Sequence, residues 1–189
     1  EFSRLLFRSV QVTGEVLSAR PDRIQTLWFR AGIIIGSGSA SFEILWNYVE
    51  KTPFMILPRS VATRTQPIGI DDVLSYLSRA RHLHVDGDLV IDIGSAVLSY
   101  EEIIRQTADV IGVKRRIVKI PLDRLRTTAY LFSLIFPVPH RITSSLLQGL
   151  NCETVIGNDI AARYFPDITP VLFEEAMRRA VRDIENRQV

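Results

Sequence analysis

The stretch that decides the fold runs from Ile24 to Ile35, IQTLWFRAGIII, and on into Gly36-Ser37-Gly38-Ser39-Ala40-Ser41. It is rich in β-branched and aromatic residues and holds one charge, Arg30. That pattern predicts a strand buried on both faces, as in a parallel sheet covered by helices, rather than a hairpin strand with one wet face. Gly36 ends it. After the glycine-serine loop, Phe42, Leu45, Trp46 and Val49 fall at i, i+3, i+4 and i+7, the stripe of an amphipathic helix that Pro53 closes. Strand, glycine loop and helix in that order are the unit of an α/β fold.

Working outward, the alternation continues. Leu5 to Ala19 predicts a helix on Leu6, Val10, Val16 and Leu17, with Pro21 beyond its end. Phe54 to Leu57 reads as a short strand. Asp71 and Asp72 open a helix whose Val73, Leu74, Leu77 and Ala80 are expected to face one side, with acids at its positive end. Leu89 to Ile93 is a strand, and Ser99 with Glu102 forms a capping box for a helix through Ile111, stopped by Gly112. Ile117 to Ile120 is a further strand, and apolar helices are expected over 122–135 and 139–150. Thr169-Pro170 starts a last helix with the stripe Phe173, Ala176, Met177, Ala180 and Ile184. The expected class is α/β with a partial parallel sheet and a smaller, helix-rich lobe.

Composition narrows the function. The 189 residues are 47% hydrophobic and 23% charged, which excludes a disordered or low-complexity chain. A formal charge of +2 is too small for a dedicated nucleic-acid binder. The lone Cys152 permits no internal disulfide, so a reducing, cytoplasmic compartment is expected. Ala129 to Val138 is about half of the roughly 20 residues a membrane span needs. The chain starts at Glu1 with no basic region leading an apolar one, so neither a secretory leader nor a natural start is expected.

Four places invite chemistry, each with a plain alternative. The Gly36–Ser41 loop would suit an anion or dinucleotide, or is a tight turn capped by serines; a third glycine is missing at Ser41, and Arg59 stands where an acid would hold a ribose. His82, His84, Asp86 and Asp88 alternate as metal ligands would, or form a polar loop with an Asp86-Gly87 turn. Asp71 and Asp72 are either paired carboxylates for acid/base work or the first-turn acids of a helix. Arg64 either clamps an anionic substrate or makes a surface ion pair. His140 reads as a surface or helix-start residue and Cys152 as a small buried hydrophobe. No metal site is assigned.

The order FRSVQVTGEVL, LWFRAGIIIGSGSASFEIL, TRTQPIGIDDVLSYL and VIDIGSAVLSYEEII resembles the second half of an NAD(P)-dependent epimerase/dehydratase-like protein of the extended or atypical short-chain dehydrogenase/reductase superfamily. The resemblance covers nearly all of residues 1 to 186. It implies a single module over 1–189, with the Rossmann elements in 1–38 and 88–94, the remainder mostly substrate lobe, and the dinucleotide-fingerprint half absent. It further implies NAD or NADP as cofactor, contacted by Ala31, Gly32 and Ile33. Gly36, Ser37, Gly38, Ser39 and Arg64 would face a small-molecule substrate. Helix 5–19 would pair subunits, so a homodimer is an expectation. The family's catalytic Tyr-x-x-x-Lys falls on Phe7 and Gln11, and its substrate-binding Asn on Ile33. Phe and Gln supply neither the proton nor the charge, so no catalytic residue is assigned. Three classes of function follow: an oxidoreductase or epimerase of atypical chemistry completed by the absent half, a catalytically silent nucleotide-sensing or assembly module, and a structural domain that associates through its apolar helices.

Overall fold

The computed structural model describes residues 26–58, 62–85, 87–120 and 153–187. The expected helices at 5–19, 122–135 and 139–150 lie outside them, as do Phe7, Gln11, Arg59, Asp86, His140 and Cys152.

The chain alternates as the periodicity requires. Strand β1, Leu27–Ala31, and β2, Ile34–Ile35, lead into helix α1, Ala40–Lys51. Then come β3, Phe54–Pro58, β4, Arg64–Thr65, β5, Ile68–Gly69, and helix α2, Ile70–Ala80. Next are β6, Leu89–Ile93, β7, Leu98–Ser99, helix α3, Tyr100–Ile111, and β8, Arg116–Ile120. A short helix α4, Ile160–Tyr164, and a long one, α5, Phe173–Arg187, finish the described chain.

The strands pair two by two. β1 with β6, β2 with β5 and β3 with β8 run parallel, while β4 with β7 is antiparallel. The α/β class and its parallel pairing therefore hold. The single strand expected over 24–35 does not: it divides at Gly32, and its two pieces take different partners, β6 and β5. Burial on both faces also fails for β1. Phe29 meets Tyr76 and Phe165 at ring-centroid distances of 6.2 and 6.0 Å, and Tyr76 meets Phe165 edge-on at 5.4 Å. The opposite face carries Arg30, which is exposed.

That aromatic triangle also corrects the reading of α2. Val73 and Tyr76 are its buried apolar residues, whereas Leu74 and Leu77 are 56% and 46% exposed. Val73, Tyr76 and Ala80 lie at i, i+3 and i+7 and pack with Ile68, Ile91 and Ile93. A ring that fills a socket between two phenylalanines buries more apolar surface than a leucine, so Tyr76 sets the rotation of the helix. A second core joins Ile35, Phe42 and Ile103 to the α5 stripe Phe173, Ala176, Met177 and Ala180, and a third joins Tyr48, Val49, Met55 and Leu57 to Ile104 and Ala108. The α5 stripe is as expected, but the helix starts at Phe173, three residues after Pro170.

Local signals at α3 act as read. Ser99 Oγ accepts from Glu102 N, Glu102 Oε2 accepts from Ser99 N at 2.7 Å, and Gly112 takes the left-handed conformation at φ 76°. The Ser99 N–H and hydroxyl hold the Glu102 carboxyl below its ordinary range. Substituting Ser99→Ala should cost about 1 kcal/mol, read as a lower melting temperature. Because the folded-state pKa of Glu102 is depressed, its part of the box is present at neutral pH and is lost as pH falls through that depressed value. The difference between Ser99→Ala and the parent should therefore shrink in acid.

Candidate functional site

The carboxyl ends of β1 and β6 lie side by side, Ala31 opposite Ile93. Beyond them the chain opens at Ala31 and Gly32, both exposed, while Ile33 is half-buried and packs its side chain on the α5 core. The Ile33 carbonyl accepts from Ile68 N at 2.9 Å, which starts the β2–β5 pairing. Ala31 and Gly32 are thus an accessible piece of main chain between β1 and the start of the β2–β5 pairing.

What holds it is polar. Arg30 Nε donates to Asp92 Oδ1 at 2.6 Å and Nη2 to Oδ2 at 3.0 Å, straight across the strand pair. Asp92 is a nearly buried carboxylate, with a side chain 9% exposed against 54% for Arg30. Its Oδ2 accepts a further bond from Gly157 N at 3.0 Å. The Asp92 bond and its charge raise the Arg30 pKa above its already high ordinary value. Segment 153–158 is laced on alongside. Gln66 N donates to Thr154 O at 3.0 Å and Thr154 N to Arg64 O at 3.1 Å, while the Thr65 and Thr154 hydroxyls meet at 2.6 Å. Gln66 itself donates to Ser95 O at 2.8 Å and accepts from Ile156 N.

Gly32 faces this polar node closely. A Cβ there would lie 3.1 Å from Thr65 Oγ1, 3.2 Å from Gln66 O and 3.3 Å from Thr154 Oγ1. Sequence reasoning named Ala31 to Ile33 but missed Asp92, Gln66, Thr65, Thr154 and Gly157. One signal was present: Asp92 is the single charge in the apolar run LVIDI, as Arg30 is in IQTLWFRAGIII.

The glycine-serine loop is largely accounted for by structure. Gly36 is buried, and a Cβ on it would come within 2.6 Å of Ile70 Cγ2 and 2.8 Å of Ile70 Cβ. Gly38 has φ +85° with open space around it. Ser39 caps α1, accepting from Phe42 N at 3.2 Å and donating to Ile34 O at 3.1 Å. Ser37 is half-buried. Arg64 sits on β4 and pairs with Glu153, Nε to Oε1 at 3.0 Å, with both side chains more than half exposed. Asp71 and Asp72 lie in the first turn of α2 but diverge: Asp71 is exposed and pairs with Arg179, while Asp72 is buried and accepts from Val171 N at 3.1 Å. Burial pushes the Asp72 carboxyl up, against the pull of the Val171 N–H and of Arg179. Of the alternating quartet, Asp88 Oδ1 accepts from Thr26 N at 2.7 Å, and His84 Nδ1 lies 3.3 Å from His82 O. Among the described residues no group of three His, Cys, Asp or Glu could hold a metal ion, and no helix is long and apolar enough to cross a membrane.

No protein-family model and no curated protein sequence matches the chain. Solved structures do share its fold. UDP-glucose 4-epimerase from Bifidobacterium longum, solved with NAD+ and UDP, superposes with a TM-score of 0.61 at 12% identity over 96% of this chain and 53% of its own. ADP-L-glycero-D-manno-heptose-6-epimerase from Helicobacter pylori gives 0.61 at 13% identity, over 93% of this chain and 49% of its own. The Pseudomonas aeruginosa protein RMD, solved with NADPH, gives 0.55 at 19% over 85% and 48%. At these identities the likeness is one of fold. The chain spans about half the length of each.

The close packing at Gly36 gives a direct test. Gly36→Ala should destabilise the protein by ~1–3 kcal/mol, because Cβ of a β-branched residue cannot swing away. Ile70→Gly in the same chain, which removes both the Cβ and the Cγ2 that the new methyl meets, should recover part of that loss, measured as a non-additive double-mutant cycle in urea.

Proposed function

We propose that this chain is the substrate-side portion of an NAD(P)-binding, epimerase/dehydratase-like protein. It acts with a dinucleotide-binding half as an oxidoreductase or epimerase on a nucleotide-linked or small carbonyl/hydroxyl substrate. The observation that carries this is the exposed Ala31–Gly32 main chain at the carboxyl end of a parallel strand pair, the place where α/β sheets take their ligands. The fold it shares with half of an epimerase solved with NAD+ and UDP, and of a protein solved with NADPH, supports the same reading.

The residues present fit one part of such a cofactor. Ala31 and Gly32 offer backbone groups and no bulky side chain, so a flat nicotinamide ring has room and amide partners there. The diphosphate finds no cradle in the Gly36 loop, whose glycine is packed on Ile70 and whose Ser39 is spent as a cap. A separate glycine-rich half must supply that cradle, which is why 1–189 acts as one wall of a cleft. When bound, the nicotinamide supplies hydride transfer. In this chain Ala31, Gly32 and Ile33 orient the ring, and Arg30 with Asp92 fixes their main chain.

On the substrate side, Gly36 and Ser39 set the loop so that Ser37 and the exposed Gly38 backbone meet the ligand. Arg64 reaches an anionic group by leaving Glu153, an exposed pair that water and salt screen. Pairing through residues 5–19 makes a homodimer, and a cytoplasmic setting suits the single cysteine.

A second reading has its own observation. Ile33 stands where the resembled family carries a substrate-binding Asn, and its side chain packs on the α5 core instead of presenting a polar group. Together with Phe7 and Gln11 this favours a catalytically silent module that senses a nucleotide or assembles with other proteins.

Calorimetric titration of NAD(H) and NADP(H) into the chain by itself, and into the polypeptide joined to its dinucleotide-binding half, tests the first reading. Binding by the joined form alone is expected. Failure of both forms to bind removes the cofactor and with it the proposal.

A further inference from the structure

A groove of about 510 Å³ runs along α2 and shares no lining residue with the Ala31–Ile33 edge, the Gly36–Ser39 loop or Arg64. One wall is helical, with Asp72, Ser75 and Arg79 at i, i+3 and i+7. The other wall is the segment Asp167–Thr169. Two ties bound it. Asp72 Oδ2 takes Val171 N at 3.1 Å at one end, and Arg79 Nη1 donates to Asp167 Oδ2 at 3.1 Å at the other. The volume falls within the roughly 300–1,000 Å³ of small-molecule sites.

The chemistry between the ties is specific. Asp72 is buried, yet only its Oδ2 is engaged among the described residues, leaving Oδ1 as an acceptor. Ser75 Oγ gives its proton to Asp71 O at 2.8 Å and keeps its lone pairs. The hydroxyls of Ser78 and Thr169, both exposed, take no partner among the described residues and can donate or accept. Leu74, 56% exposed, and Ile168 supply the apolar surface. Arg79 and Asp167 neutralise each other as a pair, so the charge left in the groove is the Asp72 carboxylate, which disfavours an anion and accepts from ligand hydroxyls.

We propose that this groove binds a neutral polyol of pyranose size, its C–H face on Leu74 and Ile168 and its hydroxyls shared among Asp72, Ser78 and Thr169. The site is separate from the Ala31–Ile33 edge and does not depend on a dinucleotide.

The test is a titration of D-glucose, D-galactose and myo-inositol into the 15N-labelled chain without any dinucleotide, followed by NMR. Saturable shifts are expected on the amides of Ser75, Ser78, Arg79, Ile168 and Thr169. In Ser78→Leu and Thr169→Val, both at exposed positions that the fold does not use, the dissociation constant should weaken at least ~10-fold, the loss of about 1.4 kcal/mol. The proposal is overturned if none of the three saturates, if the shifts cluster elsewhere, if both variants bind like the parent, or if ethylammonium or inorganic phosphate binds more tightly than the polyols. A failure to bind NAD(H) leaves these outcomes unchanged, so the two proposals fail separately.

Discussion

A carboxylate set almost out of reach of water on the face of a sheet has to be answered by charge and by donors, and in this chain Asp92 is answered three times. Arg30 reaches it with two N–H groups across the β1–β6 ladder, and Gly157 adds a main-chain N–H. Those three bonds join what sequence separates by 62 and 65 residues. The pair fixes the register of the two parallel strands at their carboxyl ends, and Gly157 draws segment 153–158 onto the same spot. Removing either charge leaves the other without its partner, and for Asp92, the buried member, that is the costly outcome.

From that anchor the remaining geometry follows. With the strand ends fixed, the chain must leave β1 at Gly32, pass close to Thr65 and Thr154, and re-enter pairing at Ile34 with β5. A Cβ at Gly32 would lie 3.1–3.3 Å from three oxygens, which would have to give by a few tenths of an ångström, so what favours glycine here is crowding and not an unusual dihedral angle. The Gly36 turn then packs against Ile70, which starts α2, and α2 in turn covers β1 and β6 through Tyr76. The exposed Ala31–Gly32 main chain is thus the outcome of several contacts made around it, which is the preorganisation that the proposed cofactor edge needs.

Much of this was legible in the residues because its causes are local. Leu89–Ile93, the Ser99–Glu102 box and the Gly112 stop depend on neighbours a few positions away, and they stand where the pattern put them. The division of the strand at Gly32 depends on Thr65, Gln66 and Thr154, which no window around Gly32 contains. The rotation of α2 was ambiguous for the same reason. Val73, Leu74, Tyr76, Leu77 and Ala80 offer two apolar faces, and Phe165, 89 positions from Tyr76, decides between them by closing the aromatic triangle. At the site, the glycine-serine loop read as a ligand feature, while its glycine and cap serine are used by packing and by the start of α1. The pair that organises the site was visible only as two lone opposite charges in two apolar strands, a sign that becomes readable once those strands are known to be neighbours.

The central claim is that Asp92 holds the Ala31–Ile33 edge and segment 153–158 together as one unit. Amide hydrogen exchange on Asp92→Ala measures this directly. The account predicts faster exchange at Ile68, whose N–H is held by the Ile33 carbonyl, and at Ile156 and Gly157 together, with the interiors of α1 and α3 still protected. Unchanged exchange at those three amides, or acceleration at Ile68 without the other two or the reverse, would contradict it.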